Sequence, residues 1–388
     1  MRIGGLAAIY GFVAGGAAAL VLWLMEAVKT VVWSGPDTRW YVFAVIIAGG
    51  SLIAVLRRFN AGEDLATQVA GLRDPLHLHR RAAQVMALGA IVAVGFGGAI
   101  GPEAGILAVV SEMSALIGLL LARNAAEARM LSESGIAGAL GGLYGSPPAG
   151  AVVAQEHPAA PRWQVYVAGV MGLLAFLLIA SRVMPGHGLR VDLPAYIRRD
   201  DARDMLLSLI PATFGAVAGL AFVMLMPLLK AGFSRLGGVV VQTLAGTVLF
   251  AILAAAFPIL RFSGHHEIEA LMHWGQGAGF AALAALALLK ALALALCLAS
   301  GWRGGAAFPL IFIGAAAGGA ALQLFPAMPP TVALIAGIVA ALTVGMGKPL
   351  AAVLLAALIL GVPAVGPLCV GAGIGWAFSR LVPEPELH

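Results

Sequence analysis

The chain has 388 residues, of which 61% are hydrophobic and 11% charged, against about 25% charged in an ordinary soluble domain. A mean hydropathy of +0.98 excludes a water-facing globular surface, so the solvent of this chain is lipid. The net charge of +5 is not a nucleic-acid signal, because the basic residues sit in short connections.

In chain order, Met1 to Trp33 begins with one basic residue and then runs apolar well past a signal core of roughly 7–15 residues. It reads as a first membrane helix. Residues 39–56, 163–185, 205–233 and 236–260 are also long enough to span, given about 20 residues per crossing. Arg57, Arg58, Arg73, Arg80 and Arg81 fall in one loop region, and Arg198, Arg199 and Arg203 in another. Basic short loops mark the cytoplasmic side, which places the 57–81 loop there. Cys297 and Cys369 lie in apolar runs without metal-ligand spacing, so their expected role is packing and no metal is expected.

The remaining apolar runs, 82–122, 130–155, 277–324 and 331–383, are punctuated by "GFGGAIGPEAG", "GGLYGSPPAG", "SGWRGGAAFP", "GMGKPL" and "GVPAVGP". Glycine and proline at this density split a membrane helix into half-helices. Such backbone is tolerated at membrane depth only when buried in protein or lining a cavity. The segments 139–154 and 341–356 match without a gap at an offset of 202 residues. The same offset brings Glu103 near Gly305. The chain thus reads as two related halves, about 1–197 and 205–383, joined at "YIRRDDARD" in a single transmembrane domain. Paired broken helices in matching halves point to a transport site near the midplane.

Half-helices expose N–H groups at their N-termini, each end carrying roughly half a positive charge. Several such ends aimed at one point form an anion site without lysine or arginine. Close packing through small residues is the competing explanation; four breaks in two matched pairs favour a site. "GGAAFP" suits it, since Gly305, Ala306 and Ala307 let backbone amides approach an ion. Within "GFGGAIGPEAG", Glu103 is the one charge, and an intramembrane carboxylate is a functional candidate by default.

The motifs "GAIGPEAG", "GSPPAGAVVAQE", "SGWRGGAAFPLIFIGAAAGG" and "GKPLAAVLLA", in this order, resemble the chloride channel (CLC) family of anion channels and anion/proton antiporters. The likeness runs from about residue 5 to about residue 380 and is nearest a small bacterial branch with a G-P-E gating segment. It implies an all-α integral membrane fold of tilted and broken helices in two inverted-topology repeats. It also implies a homodimer in the bacterial inner membrane, with one anion pathway per subunit and no cofactor. Glu103 matches the family's gating glutamate, whose carboxylate competes with the anion and carries a proton when it swings away. By the same resemblance, Gly101, Pro102 and Ala104 around the gate, and Gly305, Ala306, Ala307 and Phe308, bind the anion, chloride or a similar halide such as fluoride. Glu156 and His157 stand where proton-coupled relatives carry an acidic pair, which makes them candidates for an internal proton relay; a solvated helix end is the alternative.

The sequence departs from the family pattern in three places. Phe308 lies one position later than the usual aromatic. Glu63 and Asp64 fall near the position of a pore serine, where two carboxylates would repel an anion by several kcal/mol if desolvated and by little if hydrated; facing water or capping a half-helix is the alternative. The chain stops at "RLVPEPELH", so the last helix, its pore tyrosine and a cytoplasmic regulatory domain are expected to be missing, with Tyr144 and Tyr166 not positional replacements.

Lys290 must face protein or a wet vestibule, where it either steers anions or pairs with an acid such as Glu112 or Glu26. Arg303 and Lys348 precede the second-half breaks and either steer likewise or snorkel to the interface. His265, His266, Glu267 and Glu269 fit no metal pattern and read as a rim loop. The proton-coupled antiporter is weighed against a passive channel with the same pore and a cation-coupled transporter, which positive helix ends disfavour. An intramembrane enzyme is not expected, because H-E-x-x-H, Gly-x-Ser-Gly and paired membrane aspartates are absent.

Overall fold

The computed structural model describes residues 2–58, 80–155, 163–184, 202–264, 267–361 and 364–381. The first half comprises α1 (Arg2–Val32), α2 (Arg39–Arg58), α3 (Arg80–Gly95), α4 (Glu103–Leu121), α5 (Ala125–Leu143), α6 (Pro147–Ala154) and α7 (Trp163–Val183). The second comprises α8 (Arg203–Ser234), α9 (Val239–Ala256), α10 (Ile268–Ala299), α11 (Ala307–Leu324), α12 (Pro330–Met346), α13 (Pro349–Ile359) and α14 (Val365–Ser379). Among the described residues, eight helices are long and apolar enough to cross a membrane. The fold is helical throughout its named elements, as the motifs imply.

The packing repeats from half to half. Helix α1 packs on α7, α5 and α3, as α8 packs on α14, α12 and α10. Likewise α3–α4, α4–α5 and α5–α7 correspond to α10–α11, α11–α12 and α12–α14, while α2 meets α9 and α6 meets α13 across the divide. With lipid as apolar as leucine, this packing relies on close backbone approach. A Cβ on Gly172 of α7 would strike the Gly138 backbone of α5, and one on Gly337 of α12 the Gly314 carbonyl of α11. Helix α12 is buried from Thr331 to Gly345, which explains why it is apolar on every face. Leu120, Leu178, Leu206 and Ile252 point outward, as expected of a surface wetted by acyl chains.

The breaks are set by glycine conformation and proline. Gly97 and Gly301 both have left-handed φ, +86° and +93°, and close α3 and α10 in the same way. Gly145 and Gly347, at +60° and +65°, do this for α5 and α12, ahead of the prolines that open α6 and α13. The Gly145/Gly347 pair keeps the 202-residue offset, but Gly97/Gly301 stand 204 apart. Glu103 therefore corresponds to Ala307, not to Gly305; both are the first helical residues of their elements. Gly279 (φ +75°) kinks α10.

Three expectations for charged and thiol groups change. Arg57 is not a loop cation: its Nη1 donates to Thr243 Oγ1 at 2.7 Å and to the Ser300 carbonyl at 2.8 Å. Cys297 is buried, but Cys369 is exposed on α14 and so does not serve core packing. Glu26 pairs with Lys29 at 3.1 Å, not with Lys290. The join between the halves, Arg73, and the Glu63, Asp64, Glu156, His157, His265 and His266 positions lie outside the described residues.

Candidate anion site at the helix breaks

Two of the four glycine-rich breaks meet. Gly101 N–H donates to the Gly305 carbonyl at 2.8 Å, and Gly305 N–H donates to the Gly101 carbonyl at 3.0 Å, forming an isolated antiparallel bridge. Two residues beyond each glycine a helix begins: α4 at Glu103 and α11 at Ala307. Their positive ends therefore converge on one point. The Gly305 N–H is taken by the bridge, which removes it from the donors expected to face an anion. Pro102, the N-cap of α4, has no N–H to offer. Ala306 is the N-cap of α11, and Ala104 lies in the first turn of α4.

The Glu103 side chain folds into this junction and is 4% exposed. A Cβ on Gly101 or on Gly305 would fall on its carboxylate. The backbone N–H groups of Glu103, Ala307 and Phe308 face that carboxylate. None reaches it in strict hydrogen-bond geometry, so among the described residues both oxygens are buried without a formal partner. Two helix N-termini beside it make this a point where a negative charge is favoured.

The other pair of breaks is put to a different use. Pro147 and Pro148 remove two N–H groups from the start of α6, and Ser146 Oγ accepts from Ala149 N–H. The Ser146 hydroxyl donates to the Leu354 carbonyl at 3.1 Å, and Lys348 Nζ to the Val153 carbonyl at 3.5 Å. This pair joins α6 to α13 instead of aiming amides at Glu103, so two of the four breaks, not all four, build the junction.

Tyr144 was set aside by position, yet it reaches the site. It caps the C-terminus of α5, is buried, and its ring lies 5.8 Å from that of Phe308 at 57°. The signal was its place directly before the Gly145 turn, in a segment already marked by the internal repeat.

Lys290 is fully buried and points neither at an acid nor at the junction. Its Nζ donates to the carbonyls of Leu260, Arg261 and Phe262 at 3.1, 3.2 and 2.8 Å and lies over the Phe312 ring. Phe262 N–H in turn donates to the Gly97 carbonyl, tying this clip to the glycine break. Arg303 is buried as well, which replaces the snorkelling reading.

The sequence pattern described as "Voltage gated chloride channel" matches residues 66–380. A protein of Escherichia fergusonii that carries the name ion-transport protein YfeO is 27% identical over 346 residues, covering 84% of this chain and 80% of its own. Its namesake in Shigella flexneri is 28% identical over 323 residues, 79% of this chain and 74% of its own. Among solved structures, a CLC-type fluoride/proton antiporter superposes with a TM-score of 0.79 at 17% identity, over 98% of this chain and 95% of that one. A slow cyanobacterial Cl-/H+ antiporter gives 0.77 at 18% identity, over 100% and 96%. Repeated packing, broken helices and matched motifs lead to one assignment: the chain is a multi-pass membrane protein that belongs to the voltage gated chloride channel family.

Proposed function

We propose that this protein exchanges small anions, chloride or a similar halide, for protons across the membrane, with Glu103 as the gate. The observation that carries this reading is the buried carboxylate facing the N–H groups of Ala307 and Phe308 at two converging helix ends. A negative group bound there leaves no room for a second. An anion entering the junction displaces the carboxylate, and protonation lets the side chain leave without carrying charge into the apolar interior. One side chain thereby links the two fluxes. Both similar solved structures are proton-coupled antiporters by title, one for fluoride and one for chloride, which supports coupling and leaves the halide to experiment. Each copy carries its own junction, and the family resemblance supports assembly as a homodimer.

The test uses purified protein in chloride-loaded vesicles. Anion efflux with opposed proton uptake is the expected result, and Glu103→Gln abolishes the proton movement while sparing anion flux. Efflux without proton movement in the wild type turns the assignment to a passive channel. A Glu103→Gln protein that still exchanges protons at the wild-type rate sinks the gating role.

A further inference from the structure

The turn between α5 and α6 delivers a phenol to the junction. Tyr144 N–H donates to the Leu140 carbonyl at 2.8 Å, closing α5, and Gly145 reverses the chain in left-handed conformation before Ser146 opens α6. With its backbone held on both sides, the Tyr144 ring is fixed against Phe308, the second residue of α11. Phe308 is one of the residues whose N–H faces Glu103. A phenylalanine would supply the same ring contact. The hydroxyl is the addition, and a phenol placed in an apolar interior requires a hydrogen-bond partner. The ring contact with Phe308 sets it beside the junction that holds Glu103, and since both carboxylate oxygens lack formal partners, the hydroxyl is not spent on that group.

We propose that Tyr144 is an anion-binding residue of this pathway, its hydroxyl donating to the transported halide when that ion replaces the Glu103 carboxylate at the point faced by the Ala307 and Phe308 amides. In the state described here the carboxylate fills that point without a bond from the phenol, which leaves the donor for the ion. This rests on the reading of Glu103 as a gate in an anion pathway. An O–H donor favours small, hard acceptors, so the phenol contributes more to fluoride than to chloride binding.

The experiment titrates chloride and fluoride into full-length protein by calorimetry, in a Glu103→Gln background that removes the competing carboxylate. Adding Tyr144→Phe is expected to weaken chloride binding about tenfold, the loss of one hydrogen bond to a charged group, and to weaken fluoride binding more. Because the ring stays on Phe308, Tm is expected to hold, whereas Tyr144→Leu loses the ring contact and lowers it. Equal affinities with and without the hydroxyl overturn the proposal and leave the Glu103 reading standing. Absence of halide binding in Glu103→Gln, together with wild-type vesicles that move no anion, overturns both. As a check free of substitutions that disturb folding, meta-fluorotyrosine at position 144 is expected to shift its fluorine resonance on chloride addition; no shift counts against the proposal.

Discussion

Gly101 and Gly305 exchange both backbone hydrogen bonds, and the Glu103 carboxylate occupies the space where either glycine's β-carbon would be. Neither glycine has a left-handed φ, so alanine there meets no backbone strain. The nearest clashes fall on the Glu103 side chain: on the carboxylate from Gly101, and on the carboxylate and Cβ from Gly305. Gly305→Ala is expected to evict Glu103, keeping or raising anion efflux while cutting proton exchange about tenfold, or about 1.4 kcal/mol, within what a negative group gains at partly buried helix N-termini. Paired halide and pH electrodes on vesicles read both fluxes. Unchanged coupling would contradict the close contact.

Lys290 holds three carbonyls that have no water to turn to. Methionine fills a similar volume but donates nothing. Removing the buried cation relieves its desolvation, but three stranded acceptors outweigh that gain, so Lys290→Met is expected to destabilise by about 2–4 kcal/mol. Thermal unfolding in detergent checks this against Lys29→Met, whose part-exposed pair with Glu26 is worth at most about 1 kcal/mol. Equal Tm values for the two variants would refute the clip.

Helix approach gives a paired prediction at two glycines. Gly172→Val drives a side chain into the Gly138 backbone and is expected to abolish monodisperse protein. Gly373, on α14, has open space at its Cβ position. Its replacement by alanine is expected to stabilise by up to about 1 kcal/mol through helix propensity alone. Size-exclusion profiles and Tm separate the two outcomes.

For the proton route, glutamine at both Glu156 and His157 is expected to stop proton exchange while anion flux persists. Vesicle assays at matched protein density measure both. Normal coupling in the double variant would eliminate this relay.

The gate was legible in the sequence because its requirements are local. A helix that starts inside a membrane needs glycine and proline at fixed places, and a lone carboxylate among them stands out. The two-half organisation was legible through the α6 and α13 segments, which kept their register. Two residues fewer between the glycine breaks of the second half shifted the other pair, so Glu103 was matched to Gly305 although Ala307 is its structural counterpart. Tyr144 escaped because its role depends on how far a ring reaches around a turn, which spacing along the chain does not encode. Lys290 escaped for a related reason: its partners are main-chain carbonyls, and residue identities carry no mark of those. The second pair of breaks looked like the first in composition, but prolines at its helix starts had already removed the amides an anion would need.

The two-residue bridge has a mechanical consequence. Gly101 belongs to one repeat and Gly305 to the other, and their mutual bonds span the seam beside the gate. A cycle in which the repeats rock apart would have to break that seam at each turnover. Movement confined to the Glu103 side chain leaves it whole. A carrier of the proposed kind would then act as a stiff frame around one swinging arm, its turnover set by the arm's protonation and release instead of by the relative motion of its halves.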